Sequence, residues 1–330
     1  MNKLLPTSLL LSTLLLSMQA TSAEPAHLLN INTDRVTVSG ISAGGQMAHQ
    51  LHIAYSDQFS GVGIIASGPF GCADGSLETA MARCMGKTDG PMPVAELANG
   101  INSAAEQGLV ADTENLSDDP VWIFHGTLDT TVAAEVNDAT AALYAEFVPE
   151  AQIIYINDVA AIHNFPARGH GSACTVMQPP FVGDCDYDAA GEILTHLYDG
   201  METPVSEVET TLQTATLPGA AEAGLSDTAY LFVPPGCANG EYACALHLVL
   251  HGCAQSAVTV GTDFIEQSGY LEWAEANDIV MAFPQVVPAA ANPYACWDWW
   301  GYTGADYRWR NGKQMLVVTD WIRQLSSVEE

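Results

Sequence analysis

Positive charge is scarce in this chain. Nine Lys and Arg stand against 39 Asp and Glu, giving a net charge of −30. Phosphate backbones and anionic lipid surfaces would be repelled, so neither nucleic acid nor membrane is expected as a partner, and a neutral substrate suits such a surface best. Long apolar runs are absent after residue 18, so nothing beyond that point could span a bilayer and the mature chain is expected to be soluble. No CxxC pair offers the spacing of a zinc site, so no metal and no organic cofactor is expected.

What the chain does have begins with a leader. Met1-Asn2-Lys3 is a short positive start, Leu4–Met18 a Leu-rich run, and Thr21-Ser22-Ala23 a small-residue end at cleavage spacing. Residues 1–23 therefore read as a secretory signal peptide, too short in its apolar run for a comfortable membrane anchor, and the protein is expected to be secreted. Eight cysteines, at 72, 84, 174, 185, 237, 244, 253 and 296, suit an oxidising compartment. Sequence leaves their pairing open. The local spacings suggest Cys72–Cys84, Cys174–Cys185 and Cys237–Cys244, which leaves Cys253–Cys296.

Short, β-branched runs bounded by Gly, Pro or Asp predict buried parallel strands at 35–38, 61–66, 121–125, 152–156, 229–233, 246–251 and 279–283. Helical stretches at 45–55, 133–146, 189–198, 264–277 and 313–325 lie between them. Alternation of this kind predicts an α/β fold with a doubly wound, mostly parallel sheet. Residues 199–228, rich in Thr, Ala, Glu, Pro and Gly, lack periodicity and read as a surface connection.

The first strand ends in Gly40-Ile-Ser42-Ala-Gly44 and a helix follows. A GxSxG between strand and helix puts its serine on a sharp turn, where the free N–H groups of the helix start can face a developing negative charge. Ser42 is thus the candidate nucleophile. A serine hydroxyl needs a base, and the base needs an orienting acid. Asp129, just past the 121–125 strand, is placed to be the acid; Asp138 is a weaker rival, and a helix-cap role is the structural alternative for Asp129. His163, on the loop after the next strand, is the candidate base, with His170 as its competitor. His49 and His52 read as surface or packing residues. The strand Leu246–Leu250 ends in His251-Gly252-Cys253, resembling the His-Gly-Gly turn that supplies an oxyanion donor. Ala43 N–H and Cys253 N–H are the expected pair of donors, with His251 in a structural role.

In an ordinary α/β-hydrolase the oxyanion strand precedes the nucleophile, whereas here it follows by about 210 residues. Neither half of the chain is complete alone. The reading is one circularly permuted catalytic domain over 24–330, with 199–228 joining the old ends, rather than two separate domains.

The residues then resemble a known family, the secreted, circularly permuted single-domain poly(3-hydroxybutyrate) depolymerases of the α/β-hydrolase superfamily. The matching pieces are Gly40-Ile-Ser42-Ala-Gly-Gly-Gln-Met-Ala, Ala54-Tyr-Ser-Asp-Gln-Phe, His125-Gly-Thr-Leu-Asp129-Thr-Thr-Val, His163-Asn-Phe-Pro, Cys185-Asp-Tyr-Asp-Ala-Ala-Gly, His251-Gly-Cys-Ala-Gln and Cys296-Trp-Asp-Trp-Trp-Gly-Tyr. The resemblance implies an ester hydrolase acting on polyester or its oligomers, with the triad Ser42, Asp129 and His163 and the hole at Ala43 and Cys253. It also makes Trp297, Trp299, Trp300 and Tyr302 the wall of a substrate crevice, core packing being the alternative for each. A monomer is expected. A feruloyl or acetyl-xylan esterase is the nearest other reading; a peptidase and a non-catalytic polymer-binding protein are weaker ones.

Overall fold

A computed structural model describes residues 29–86 and 90–326. The expected leader, residues 1–23, lies outside the described residues. The chain runs through β1 (Ile31–Ile41), α1 (Ala43–Ala54), β2 (Val62–Ile65), α2 (Val94–Glu106), β3 (Val121–Phe124), α3 (Ala134–Tyr144) and β4 (Ile153–Ile156). Three short strands follow, β5 (Phe165–Ala167), β6 (Ser172–Ala173) and β7 (Val182–Asp184), and then α4 (Ala189–Leu197). The second half adds β8 (Gln213–Thr216), β9 (Thr228–Phe232), β10 (Cys244–Leu250), α5 (Asp263–Gln267), α6 (Tyr270–Asn277), β11 (Ile279–Phe283) and α7 (Lys313–Ser326).

Eight strands form one sheet in the order β4-β3-β2-β1-β10-β11-β9-β8, and β5, β7 and β6 form a small second one. The large sheet is parallel from β4 to β11. Its central strands are buried on both faces, which is why their sequences are continuous apolar runs. One face packs against α1, α2, α3 and α7, the other against α4, α5 and α6. β1 from the first half pairs with β10 from the second, Gly40 opposite Leu250. That register brings the end of the serine strand beside the His-Gly-Cys turn.

Three expectations need correction. The strand near 229–233, read as parallel, runs antiparallel to β11. It forms an antiparallel pair with β8 across a short connection, and a short connection can only reverse the chain. The supposed surface connection 199–228 contains β8, the last strand of the sheet, hidden from sequence because three of its four side chains are exposed. The single helix at 264–277 is two, broken at Gly269, whose φ of 84° ends helical geometry.

Candidate active site

Between β1 and α1 there is only Ser42, held at φ 57° and ψ −119°. A residue with a side chain keeps such backbone, at a cost of about 1–3 kcal/mol, only where its surroundings impose it. Close packing against β10 imposes it here: a Cβ on Gly44 would lie 2.1 Å from the Leu250 carbonyl oxygen. Ser42 N–H donates to the Ile65 carbonyl at 2.9 Å, tying the turn to β2 as well.

Asp129 and His163 come from neighbouring loops, after β3 and β4. Those loops are joined by backbone: Thr127 N–H donates to the Val159 carbonyl at 2.8 Å and Leu128 N–H to that of Ala161 at 3.0 Å. The Asp129 side chain is wholly buried. Its Oδ1 accepts the N–H groups of Thr131 (2.7 Å) and Val132 (3.1 Å), and its Oδ2 lies 2.7 Å from His163 Nδ1. Burial by itself raises the Asp129 carboxyl, but the hydrogen bond and charge of His163, with the Val132 and Thr131 N–H groups, outweigh it and hold the group below its ordinary value. An ionised Asp129 fixes the His163 proton on Nδ1 and leaves Nε2 as the free lone pair.

Ser42 and His163 open onto one cavity of about 530 Å³, which Ala43 and Cys253 also line. Among the described residues no hydrogen bond joins Ser42 Oγ to His163, and the backbone N–H groups of Ala43 and Cys253 have no acceptor. Trp299 and Trp300 line the cavity. Trp297 does not: it is fully buried behind the wall, its ring 5.7 Å from that of His251. Tyr302 is also a supporting residue, donating through its hydroxyl to the Cys296 carbonyl at 2.9 Å. The rivals stand elsewhere, His170 on Glu272 at 3.3 Å and Asp138 under the Tyr155 hydroxyl at 2.9 Å. His49 and His52 are fully buried, so they are packing residues. Among the described residues no cluster of His, Cys, Asp and Glu could hold a metal ion.

Sequence reasoning missed several residues. Asp298, fully buried, accepts N–H groups from Trp300, Gly301, Tyr302 and Thr303 and the Thr303 hydroxyl, which shapes the loop that presents Trp299 and Trp300. No local pattern marks Asp298, because the Trp299-Trp300-Gly301-Tyr302 run that follows it reads as an aromatic cluster and not as a polar turn. Leu77, Met81, Met177 and Tyr294 line the cavity while remaining largely exposed, an apolar mouth assembled from three separate segments that no local pattern reveals. Disulfides join Cys72 to Cys84, Cys174 to Cys185, Cys237 to Cys244 and Cys253 to Cys296. The last ties the His-Gly-Cys turn to the tryptophan loop.

A scan against models of protein families finds no match. Among curated proteins, the chain is 39% identical over 312 residues to the poly(3-hydroxybutyrate) depolymerase of Delftia acidovorans, covering 91% of this chain and 61% of that protein. It is 33% identical to the polyhydroxybutyrate depolymerase of Talaromyces funiculosus, covering 93% and 94%. Among solved structures, the PHB depolymerase from Penicillium funiculosum superposes with a TM-score of 0.85 at 31% identity, covering 92% of this chain and 99% of that one. A PHB depolymerase complexed with an R3HB trimer gives the same values.

Proposed function

This chain belongs to the poly(3-hydroxybutyrate) depolymerase family, and from that premise we propose that it is a secreted serine esterase hydrolysing poly(3-hydroxybutyrate)-type polyester and its oligomers. Ser42 is the nucleophile. His163 Nε2 takes its proton as Ser42 Oγ attacks the ester carbonyl, and Asp129 stabilises the imidazolium that forms. The approach of His163 to Ser42 tightens when substrate excludes water. The carbonyl oxygen becomes an oxyanion between the N–H groups of Ala43 and Cys253, each worth roughly 3–4 kcal/mol of barrier. His163 then protonates the departing alcohol end of the polymer. Water, activated by the same imidazole, hydrolyses the acyl-enzyme.

One observation carries this reading: His163, held at Nδ1 by Asp129, opens with Ser42 onto a cavity that is also lined by Ala43 and Cys253, whose N–H groups have no acceptor among the described residues. The walls suit an uncharged, partly apolar chain, and the exposed Leu77, Met81, Met177 and Tyr294 at the mouth offer a place for polymer to settle. Four disulfides fit an oxidising compartment and support reading residues 1–23 as an export leader. Pairing of β1 with β10 supports a single permuted domain over two separate ones.

The test is product analysis after incubation with poly(3-hydroxybutyrate) film. Wild type should release hydroxybutyrate monomer and short oligomers, while a folded Ser42→Ala variant releases essentially none. Faster turnover of feruloyl esters than of hydroxybutyrate trimers would move the substrate assignment to the carbohydrate esterases.

A further inference from the structure

We propose that Gln255 is a positioning residue that fixes the oxyanion donor of Cys253; this rests on the esterase reading above. Gln255 is buried and lines the cavity three residues after Gly252. Its Oε1 accepts Gly252 N–H at 2.7 Å. Its Nε2 donates to the carbonyls of Pro180 (2.9 Å) and Phe181 (3.2 Å), on another segment of the cavity wall. One amide thus spans from the turn to the opposite loop. The contact demands glycine at 252, where a Cβ would lie 2.5 Å from Gln255 Oε1.

The other side of the same residue is held by His251. Val286 N–H donates to His251 Nε2 at 3.2 Å, so the ring proton sits on Nδ1 and donates to the Gly252 carbonyl at 2.8 Å. Burial pushes the His251 pKa down to about 4 and keeps that ring neutral. Gln255 N–H adds a second, longer bond to the same carbonyl at 3.3 Å. In a trans peptide the N–H points opposite to the C=O. Fixing the Gly252 carbonyl therefore fixes the direction of Cys253 N–H.

The remaining amides of the turn are occupied. Gly252 N–H goes to Gln255, Ala254 N–H to the Tyr294 carbonyl at 2.7 Å, and Gln255 N–H to Gly252. Cys253 N–H alone in 252–255 has no acceptor among the described residues. The Gln255 side chain braces this turn through Gly252 N–H and the Pro180 and Phe181 carbonyls, so its loss should lower the rate far more than it changes how substrate binds.

The experiment compares wild type, Gln255→Met and Gln255→Asn. Each is assayed on a soluble nitrophenyl butyrate ester. Each is also titrated with a trifluoromethyl ketone, which adds to the serine as a tetrahedral oxyanion, and with the ester-isosteric secondary alcohol, which cannot add. Met fills the space but makes neither bond. Asn keeps the amide yet is one methylene short of spanning both ends, and it serves if the Met variant does not fold. The expected result is a kcat at least tenfold lower at a KM within twofold. Ketone affinity should fall by the same factor as kcat/KM, with alcohol affinity unchanged. Equal weakening of ketone and alcohol, or a kcat within twofold of wild type in both variants, overturns the proposal. A wild-type enzyme that forms no ketone adduct at all would instead overturn the serine-esterase reading on which it stands.

Discussion

At the scale of the residue, the site depends on which proton sits where. Asp129 is wholly buried and ionised, with one oxygen committed to two backbone N–H groups and the other to His163 Nδ1. Asp129→Asn keeps the size and part of the hydrogen bonding but can present an N–H to Nδ1, which favours the tautomer whose Nε2 bears the proton. The expected outcome is a fold-preserving loss of about 10³–10⁴ in kcat on a soluble ester, read by steady-state kinetics beside an unchanged circular dichroism spectrum. Activity within tenfold of wild type would remove Asp129 from the triad. The residues proposed for this chemistry stand out in sequence because each has a local context that names it: a serine between strand and helix, an acid and an imidazole just past successive strands. Asp298 and Gln255 were not, since a carboxylate that accepts backbone N–H groups and an amide that bridges two loops are defined by partners that folding brings.

The elements explain why those residues meet. β1 and β10 are about 210 residues apart in sequence but adjacent in the sheet, and a buried polar chain locks their register. Tyr198 OH donates to the Leu246 carbonyl at 3.1 Å, so it accepts from Thr37, which accepts from His247 Nδ1 at 2.7 Å. His247 Nε2 accepts from Ser39 at 2.8 Å, and Ser39 accepts from Tyr270 at 2.6 Å. Every member is satisfied, as a buried network must be. His247→Ala removes the central member, leaves a cavity and orphans hydroxyls on β1. It should cost about 2–5 kcal/mol in urea unfolding, and a loss under about 0.5 kcal/mol would deny the network its role. Strand existence was readable from apolar runs, because burial on both faces leaves a strong signal. Direction and partner were not. β8, with three of four side chains exposed, carries no such run, and the antiparallel sense of β9 comes from the pairing it makes with that unseen strand.

The whole molecule is acidic outside and holds neutral imidazoles inside. Burial lowers His49 and His247 from the ordinary 6.5 to about 3, the charge of His52 adding to the effect at His49, and lowers His251 to about 4. In the unfolded chain each takes up a proton near 6.5, so between that pH and about 3–4 the unfolded state binds more protons. The stability these groups contribute is present above pH 6.5 and drains as pH falls. The urea midpoint should therefore drop from pH 7 to pH 4, and His49→Phe, replacing a ring stacked 4.5 Å from Tyr144, should make the slope shallower. An unchanged slope would mean that His49 titrates normally in the folded protein. Over the same scale, loops from both halves of the chain converge on one cavity, and the esterase account stands on that convergence. Its most direct test is reaction with a fluorophosphonate followed by peptide mapping. The account predicts one phosphonyl adduct, on Ser42, absent in Ser42→Ala and formed far more slowly in His163→Ala. Labelling at another serine, or equal rates with and without His163, would contradict it.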